Sequence, residues 1–183
     1  MYYSEGSGVI VEYSNGKFYL VRHAEAQENY SGHYKILPGP PLSTSGVRKA
    51  EALKEFFKNI KIDKIICSPF ERAYQTASII ANEKIVPETC NAWSEEGPIE
   101  PYAEVEGRVK NWLLNNLPFD DHTYVIVAHG ATLNAALFLI NQGVSERADK
   151  DPDGCIMEKA GVWLISWKDG KILSFSPVQV CKI

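Results

Sequence analysis

Apolar positions along the chain follow two rhythms. Short blocks rich in β-branched and aromatic residues recur at Gly8 to Tyr13, Lys17 to Arg22, Ile62 to Cys67, Tyr124 to Ala128, Gly161 to Trp167 and Lys171 to Ser176. Each has the length and composition of a strand. Ile85-Val86 is a further, very short candidate. Between these blocks, apolar residues recur every three or four positions, the period of a helix with one buried face. Val47, Ala50, Leu53 and Phe57 predict a helix running to about Lys58, with Ser43, Thr44 or Ser45 able to cap its first turn. Ser68-Pro69 predicts the start of a second helix, with Ser68 as cap and Pro69 in its first turn. A third spans Tyr102 to Asn116 with Val105, Val109, Trp112 and Leu113 inward, and a fourth runs from about Ala131 to Asn141.

The joints sharpen this picture. Ser14-Asn15-Gly16 and Lys168-Asp169-Gly170 each separate two apolar blocks, and Asn-Gly and Asp-Gly favour hairpins because both residues tolerate positive φ. Strands alternating with helices indicate a parallel sheet covered on both faces. The expected fold is α/β: a three-layer sandwich with a mainly parallel central sheet, helices on both faces and antiparallel hairpin additions at the chain ends. Residues 24 to 42, with Gly32, Pro38, Gly39, Pro40 and Pro41, read as a loop. Residues 89 to 101 read as an exposed acidic loop. No repeat or linker divides the chain, so 1–183 is expected to form a single domain.

Composition narrows the function classes. The chain has 183 residues, 45% apolar and 23% charged, ordinary for a globular protein with a full core. A net charge of −4 offers no global basic surface to nucleic acid or an anionic membrane. The start of the chain lacks a signal-peptide pattern, and no apolar run nears the ~20 residues needed to cross a bilayer. Cys67, Cys90, Cys155 and Cys181 show no Cys-x-x-Cys pairing and read as reduced residues, so the expectation is a cytoplasmic protein. No His, Cys, Asp or Glu spacing suggests a metal. Gly-rich nucleotide loops and a G-x-S-x-G elbow are absent, and no cofactor is expected.

Two histidines stand out. Arg22-His23 follows the apolar block Phe18 to Val21, and His129-Gly130 follows Tyr124 to Ala128. Residues at the carboxyl ends of two strands of an open α/β sheet can converge on one crevice. An imidazole with an arginine beside it and a second imidazole opposite suits holding and attacking a phosphoryl group. Adjacent arginines would keep His23 neutral, and a hydrogen bond from its other nitrogen to a backbone carbonyl would fix its tautomer. Arg22 offers paired hydrogen bonds that lysine cannot. His129 would donate to a nonbridging phosphate oxygen, and Gly130 would allow a tight turn into a helix whose N-terminus faces the anion.

Four ordered segments carry a resemblance. Arg22-His23-Ala24-Glu25-Ala26 with Asn29, then Pro41 to Gly46, then Cys67 to Ala77 containing Ser-Pro-Phe-Glu-Arg-Ala-Tyr-Gln-Thr-Ala, and finally Val127 to Gly130, resemble the signature blocks of the histidine phosphatase superfamily. That family includes phosphatases and cofactor-dependent phosphoglycerate mutases. The resemblance implies His23 as nucleophile, Arg22 and Arg72 as phosphate clamps and His129 as the second imidazole. It also implies a leaving-group acid in the insert between Arg72 and His129. Glu95 fits that spacing best, with Glu96 and Glu100 as rivals; Asn29, Gly130 and Glu96 are the expected substrate contacts. Ala24 and Ala26 depart from the family's usual glycine and frequent threonine, and the second change removes a phosphate-contacting hydroxyl.

The implied activity is hydrolysis of phosphate monoesters through a phosphohistidine on His23, without metal. The expected partner is a small phosphorylated metabolite. Two alternatives stand beside it: a phosphatase acting on a phosphohistidine protein of a phosphorelay, and a phosphate-binding regulatory module with little turnover. A phosphoglycerate mutase is disfavoured, because resembling mutases are longer and carry extra segments for a bisphosphate primer.

Overall fold

The computed structural model describes residues 16–116, 122–140, 157–168 and 171–180. Strand β1 (Gly16–Arg22) is followed by α1 (Thr44–Phe57), β2 (Lys64–Cys67), α2 (Glu71–Ala81), β3 (Glu88–Thr89), a short 3-10 turn over Asn91–Trp93, α3 (Tyr102–Asn116), β4 (Thr123–Ala128), α4 (Gly130–Ile140), β5 (Val162–Lys168) and β6 (Lys171–Val178). The six strands form one sheet in the order β3-β2-β4-β1-β5-β6. β1, β4, β2 and β3 run parallel, while β5 joins β1 antiparallel and β6 joins β5 antiparallel. This is the expected mixed α/β sheet with its C-terminal hairpin. The expected N-terminal hairpin partner, Gly8 to Tyr13, lies outside the described residues.

Strand alternation builds two cores from one sheet. Phe18, Leu20, Ile66, Ile126 and Ala128 face one side and pack against Val109 and Leu113 of α3 and Leu133, Ala136 and Leu137 of α4. Tyr19, Val21, Ile65, Cys67, Val125 and Val127 face the other and meet Leu53 and Phe57 of α1 and Ala73, Ala77 and Ile80 of α2. Side chains that point alternately up and down leave the parallel strands apolar throughout, as a doubly covered sheet requires. Each fully buried large apolar side chain contributes roughly 1.5–3 kcal/mol. Among the described residues no helix is long and apolar enough to cross a membrane.

Local details correct several expectations. Ser43 caps α1, accepting from the Gly46 amide at 3.0 Å. The buried face of α1 is Gly46, Ala50, Leu53 and Phe57, whereas Val47 is 42% exposed. Gly46 takes Val47's place because the helix there runs against the backbone of Glu25. The second helix begins at Glu71 rather than at Pro69, with no side-chain cap at Phe70. The third strand is Glu88–Thr89, two residues beyond the expected Ile85-Val86, which lie outside it. Residues 89 to 101 are not uniformly exposed: Trp93 is buried in the α3–α4 core. Trp112 is only partly buried.

A β-carbon at Gly46 would lie 2.0 Å from the Glu25 carbonyl oxygen, whereas one at Gly107, in the middle of α3, would meet nothing within 4 Å. Gly46→Ala should therefore lower unfolding free energy by about 1–3 kcal/mol or more. Gly107→Ala should raise it by roughly 0.5–1 kcal/mol, because alanine replaces glycine in an open helix interior. Urea denaturation of both variants checks the pair; equal effects at the two sites would contradict the contact.

Candidate active site

The parallel register of β1, β4 and β2 sets the carboxyl ends of these strands side by side. Arg22 of β1 pairs with Ala128 of β4, and Cys67 of β2 pairs with Val127 of β4. The residues that follow, His23, His129 and Ser68, therefore leave the sheet together. Backbone hydrogen bonds continue the ladder past the strand ends: His23 N–H donates to Ala128 O at 3.0 Å and Ser68 N–H to Val127 O at 2.9 Å. Arg72, in the first turn of α2, enters from above. Thr76, one turn on, accepts from the Ala24 amide at 3.2 Å and donates to the Arg72 carbonyl at 2.7 Å, which fastens this helix to the His23 loop.

Four side chains that are far apart in sequence meet here. The two imidazole rings lie 5.0 Å apart, centre to centre. His23 Nδ1 lies 2.7 Å from the Ala24 carbonyl, which can only accept, so Nδ1 carries the proton. The lone pair of Nε2 is thereby turned into the site, where Arg72 Nε donates to it at 3.3 Å. Arg72 Nη2 contacts Glu95 Oε2 at 2.8 Å, and the same oxygen lies 3.2 Å from His129 Nδ1. His129 Nε2 lies 2.7 Å from Ser68 Oγ. Arg72 and His129 are fully buried, His23 is 2% exposed, and the Glu95 side chain is 13% exposed.

The electrostatics favour a neutral imidazole at His23. Burial, then His129 and Arg72, hold His23 well below the usual imidazole range. The arginine effect expected from sequence is present, but burial is larger. Burial likewise lowers His129, against the pull of Glu95. At Glu95 burial acts to raise the carboxyl, yet His129 and Arg72 outweigh it and hold the group below the ordinary carboxylate range. Burial pushes the Cys67 thiol up to about 12, so it is not a competing nucleophile.

The other expected residues make contacts of their own. Arg22 is buried at the end of β1, and its Nη1 donates to the Met157 carbonyl at 2.9 Å. Gly130 is buried as the first residue of α4. Asn29 is exposed and lines a cavity of about 540 Å³ with Glu25, Tyr34, Ser43 and Lys159. Glu96 Oε2 pairs with Lys35 Nζ at 3.1 Å, tying the loop after β1 to the Glu95 loop. Glu100 is taken up by Arg108 Nε at 2.8 Å and by the Gly97 amide at 3.0 Å, a structural pairing.

Several participants carried no clear sequence signal. Arg108 of α3 holds the Glu95 segment by donating to the carbonyls of Ala92 at 2.6 Å and Ser94 at 2.9 Å. Tyr34 stacks on the Arg72 guanidinium, 4.2 Å from its ring centre, and its carbonyl accepts from Nη1 at 3.3 Å. Phe70 covers the guanidinium at 4.9 Å. Gly39, at φ 68°, leaves room for this packing, since a β-carbon there would lie 2.7 Å from Arg72 Nη1. Loop glycines and a helical arginine are too common to be singled out before the fold places them.

The sequence shows no metal-ligand spacing, but the fold does bring ligating atoms of His23, Glu95 and His129 within 4.8 Å of one another. Arg72 sits in contact with both Glu95 and His23. A fixed guanidinium at that distance opposes a second cation and favours an anion.

The chain resembles known phosphatases in sequence over part of its length and solved phosphatase structures in fold. Residues 18–95 match the model of the histidine phosphatase superfamily (branch 1). The adenosylcobalamin/alpha-ribazole phosphatase of Escherichia coli is 31% identical over 71 residues, 39% of this chain and 35% of that protein. The match thus spans about a third of that relative's length. An uncharacterized phosphatase of Bacillus subtilis is 29% identical over 69% of this chain and 78% of its own length. Among solved structures, a phosphoserine phosphatase of Entamoeba histolytica in complex with 3-phosphoglyceric acid superposes with a TM-score of 0.70 at 19% identity, covering 90% of this chain and 98% of that one. The matched segment contains His23, Arg72 and Glu95, the fold supplies His129 beside them, and over residues 18–95 the chain resembles the histidine phosphatase superfamily.

Proposed function

We propose that the chain is a phosphatase that hydrolyses phosphate monoesters through a covalent phosphohistidine on His23, without a metal. The observation that carries this reading is the orientation of His23: Nδ1 is committed to the Ala24 carbonyl, so the lone pair is on Nε2 and faces the site, where Arg72 Nε donates to it until a phosphate oxygen draws that donor away. Nε2 attacks phosphorus, and the bond to the leaving oxygen breaks. Glu95 gives that oxygen a proton. Water then attacks the phosphohistidine, Glu95 takes the proton back, and His23 departs with its lone pair. Arg72 and His129 hold the nonbridging oxygens as charge builds, with Arg22 a third donor at the end of β1.

Glu95 plays a second part in this reading. In the structure its carboxylate bridges Arg72 and His129, the place a phosphate oxygen would take. An arriving phosphate takes over both donors and puts its own negative charge beside the displaced carboxylate. Both changes raise the carboxyl's pKa towards that of a usable acid. The polar cavity beside the site shares Tyr34 with the Arg72 sandwich, which favours a small polar leaving group over a protein side chain. Asn29 and Lys159 are the groups there that such a leaving group would meet.

Turnover of p-nitrophenyl phosphate in chelator should fall by about 10³-fold or more in His23→Ala. Acid-labile, alkali-stable phosphate should be trapped on the wild type only. Persistent turnover in the variant, or turnover that requires added metal, would overturn the mechanism; binding of phosphate without any turnover would favour the regulatory module. Glu95→Gln should slow aryl esters modestly and alkyl esters by about 10²-fold, because an alkoxide needs its proton more. Equal slowing of both would remove Glu95 from the acid role.

The burial that keeps the imidazoles neutral also makes stability pH-dependent. Both titrate below their ordinary value of 6.5 in the folded chain. The unfolded chain therefore takes up these protons first, so their contribution is intact above that value and declines as pH falls towards the folded values. The slope is at most about 1.4 kcal/mol per pH unit per group. His23→Asn should show a shallower loss of unfolding free energy between about pH 7 and pH 5 than the wild type, measured in urea; an unchanged slope would show that His23 is not held neutral by the fold.

A further inference from the structure

Ser68 sits at a junction that its sequence context does not explain. Ser-Pro before a helix reads as a cap, but α2 starts three residues later, at Glu71. The Glu71 amide donates to the Pro38 carbonyl at 2.9 Å, so the helix entry has another acceptor. Ser68 is completely buried. Its hydroxyl oxygen accepts the Phe70 amide at 3.2 Å and lies 2.7 Å from His129 Nε2, the shorter of the two contacts.

Proton accounting then decides the state of His129. A serine hydroxyl has one proton to give and two lone pairs. One lone pair is taken by the Phe70 amide. If the proton goes to His129 Nε2, that nitrogen accepts, and the imidazole hydrogen resides on Nδ1. Nδ1 lies 3.2 Å from Glu95 Oε2, an ion-pair distance without hydrogen-bond alignment, so a proton on Nδ1 is favoured there by charge and a lone pair is not. The other neutral tautomer would leave a buried hydroxyl proton without an acceptor, and would set the Nδ1 lone pair against a carboxylate. Either fault costs as much as a lost buried hydrogen bond.

We propose that Ser68 is a positioning residue that donates to His129 Nε2 and so fixes the Nδ1–H tautomer, aiming a neutral N–H donor at the anion bound between His129 and Arg72. Thr132 holds the other end of this histidine, accepting from its backbone amide at 3.3 Å and donating to its carbonyl at 3.1 Å, so the ring is the only part left for Ser68 to orient. The proposal rests on the phosphatase reading for its purpose, since the anion is taken to be a phosphoryl group. The tautomer itself does not depend on turnover.

The test is nitrogen-15 NMR of histidine-labelled protein without substrate, with the His129 ring assigned by its loss in His129→Asn. Wild type should show a protonated, pyrrole-type Nδ1 and a pyridine-type Nε2. Ser68→Ala should lose that preference, and vanadate affinity should fall by roughly 10-fold, as for removal of an outer group that orients a ligand-contacting histidine. Ser68→Thr, which keeps the hydroxyl, should restore both. A pyridine-type Nδ1 in the wild type would overturn the proposal even if every variant misfolded. So would Ser68→Ala with the wild-type tautomer and vanadate affinity. Failure of the phosphatase reading looks different: no phosphate ester is turned over, while the wild-type tautomer is as stated.

Discussion

A fully buried guanidinium is the constraint around which this site is arranged. Leaving Arg72 without partners in the interior would cost several kcal/mol. The fold instead surrounds it. Its Nε meets His23, its Nη2 meets Glu95, its Nη1 meets the Tyr34 carbonyl, and the rings of Tyr34 and Phe70 cover it. His23, Glu95, Tyr34 and Phe70, drawn from four separate segments, all touch this one side chain. Two of the partners, His23 and Glu95, are the groups to which chemistry is assigned. Glu95 satisfies the guanidinium in the structure, and in the proposed reaction a phosphoryl group would take its place, one anion replacing another.

That arrangement depends on the sheet in a simple way. Parallel pairing of β1, β4 and β2 puts three carboxyl termini at one level, and the residue after each terminus becomes His23, His129 or Ser68. An antiparallel partner at any of these places would have sent one of them to the opposite edge of the sheet. The antiparallel strands are confined to β5 and β6, on the far side of β1 from β4. From there the chain sends the Met157 carbonyl back to Arg22. The segment leading into β5 thereby braces Arg22, next to His23, while the crevice is left to the parallel strands.

Much of this was legible in the sequence because it is written in short-range patterns. The period of apolar residues gave α1, α3 and α4 nearly to their ends, and the Asp-Gly turn gave the β5–β6 hairpin. Histidines at the ends of two apolar blocks pointed to a common crevice. What stayed hidden depends on contacts between distant segments. Ser68 looks like a cap until β4 is laid beside β2. Arg108 looks like a solvated helix charge until the Glu95 segment folds onto it. Val47 fits the apolar face of α1 by period, but the closer approach of Glu25's backbone gives that face to Gly46. Glu95, Glu96 and Glu100 are nearly equivalent in sequence. Only packing separates one carboxylate facing Arg72 from one paired with Lys35 and one locked to Arg108.

The same separation bears on how an acid can work beside a guanidinium and an imidazole that hold it ionised. A carboxylate held low by Arg72 and His129 cannot donate a proton while it keeps those partners. It becomes an acid only if its partners are taken from it, and the group best able to do so is the dianion whose leaving oxygen needs the proton. Arg108 makes this exchange local. It binds the backbone carbonyls of the Glu95 segment and leaves the Glu95 carboxyl free of that anchor, so the side chain can change partners while its main chain stays fixed. The substrate's charge would then switch on the acid at the place and moment it is needed, without a change in the surrounding fold.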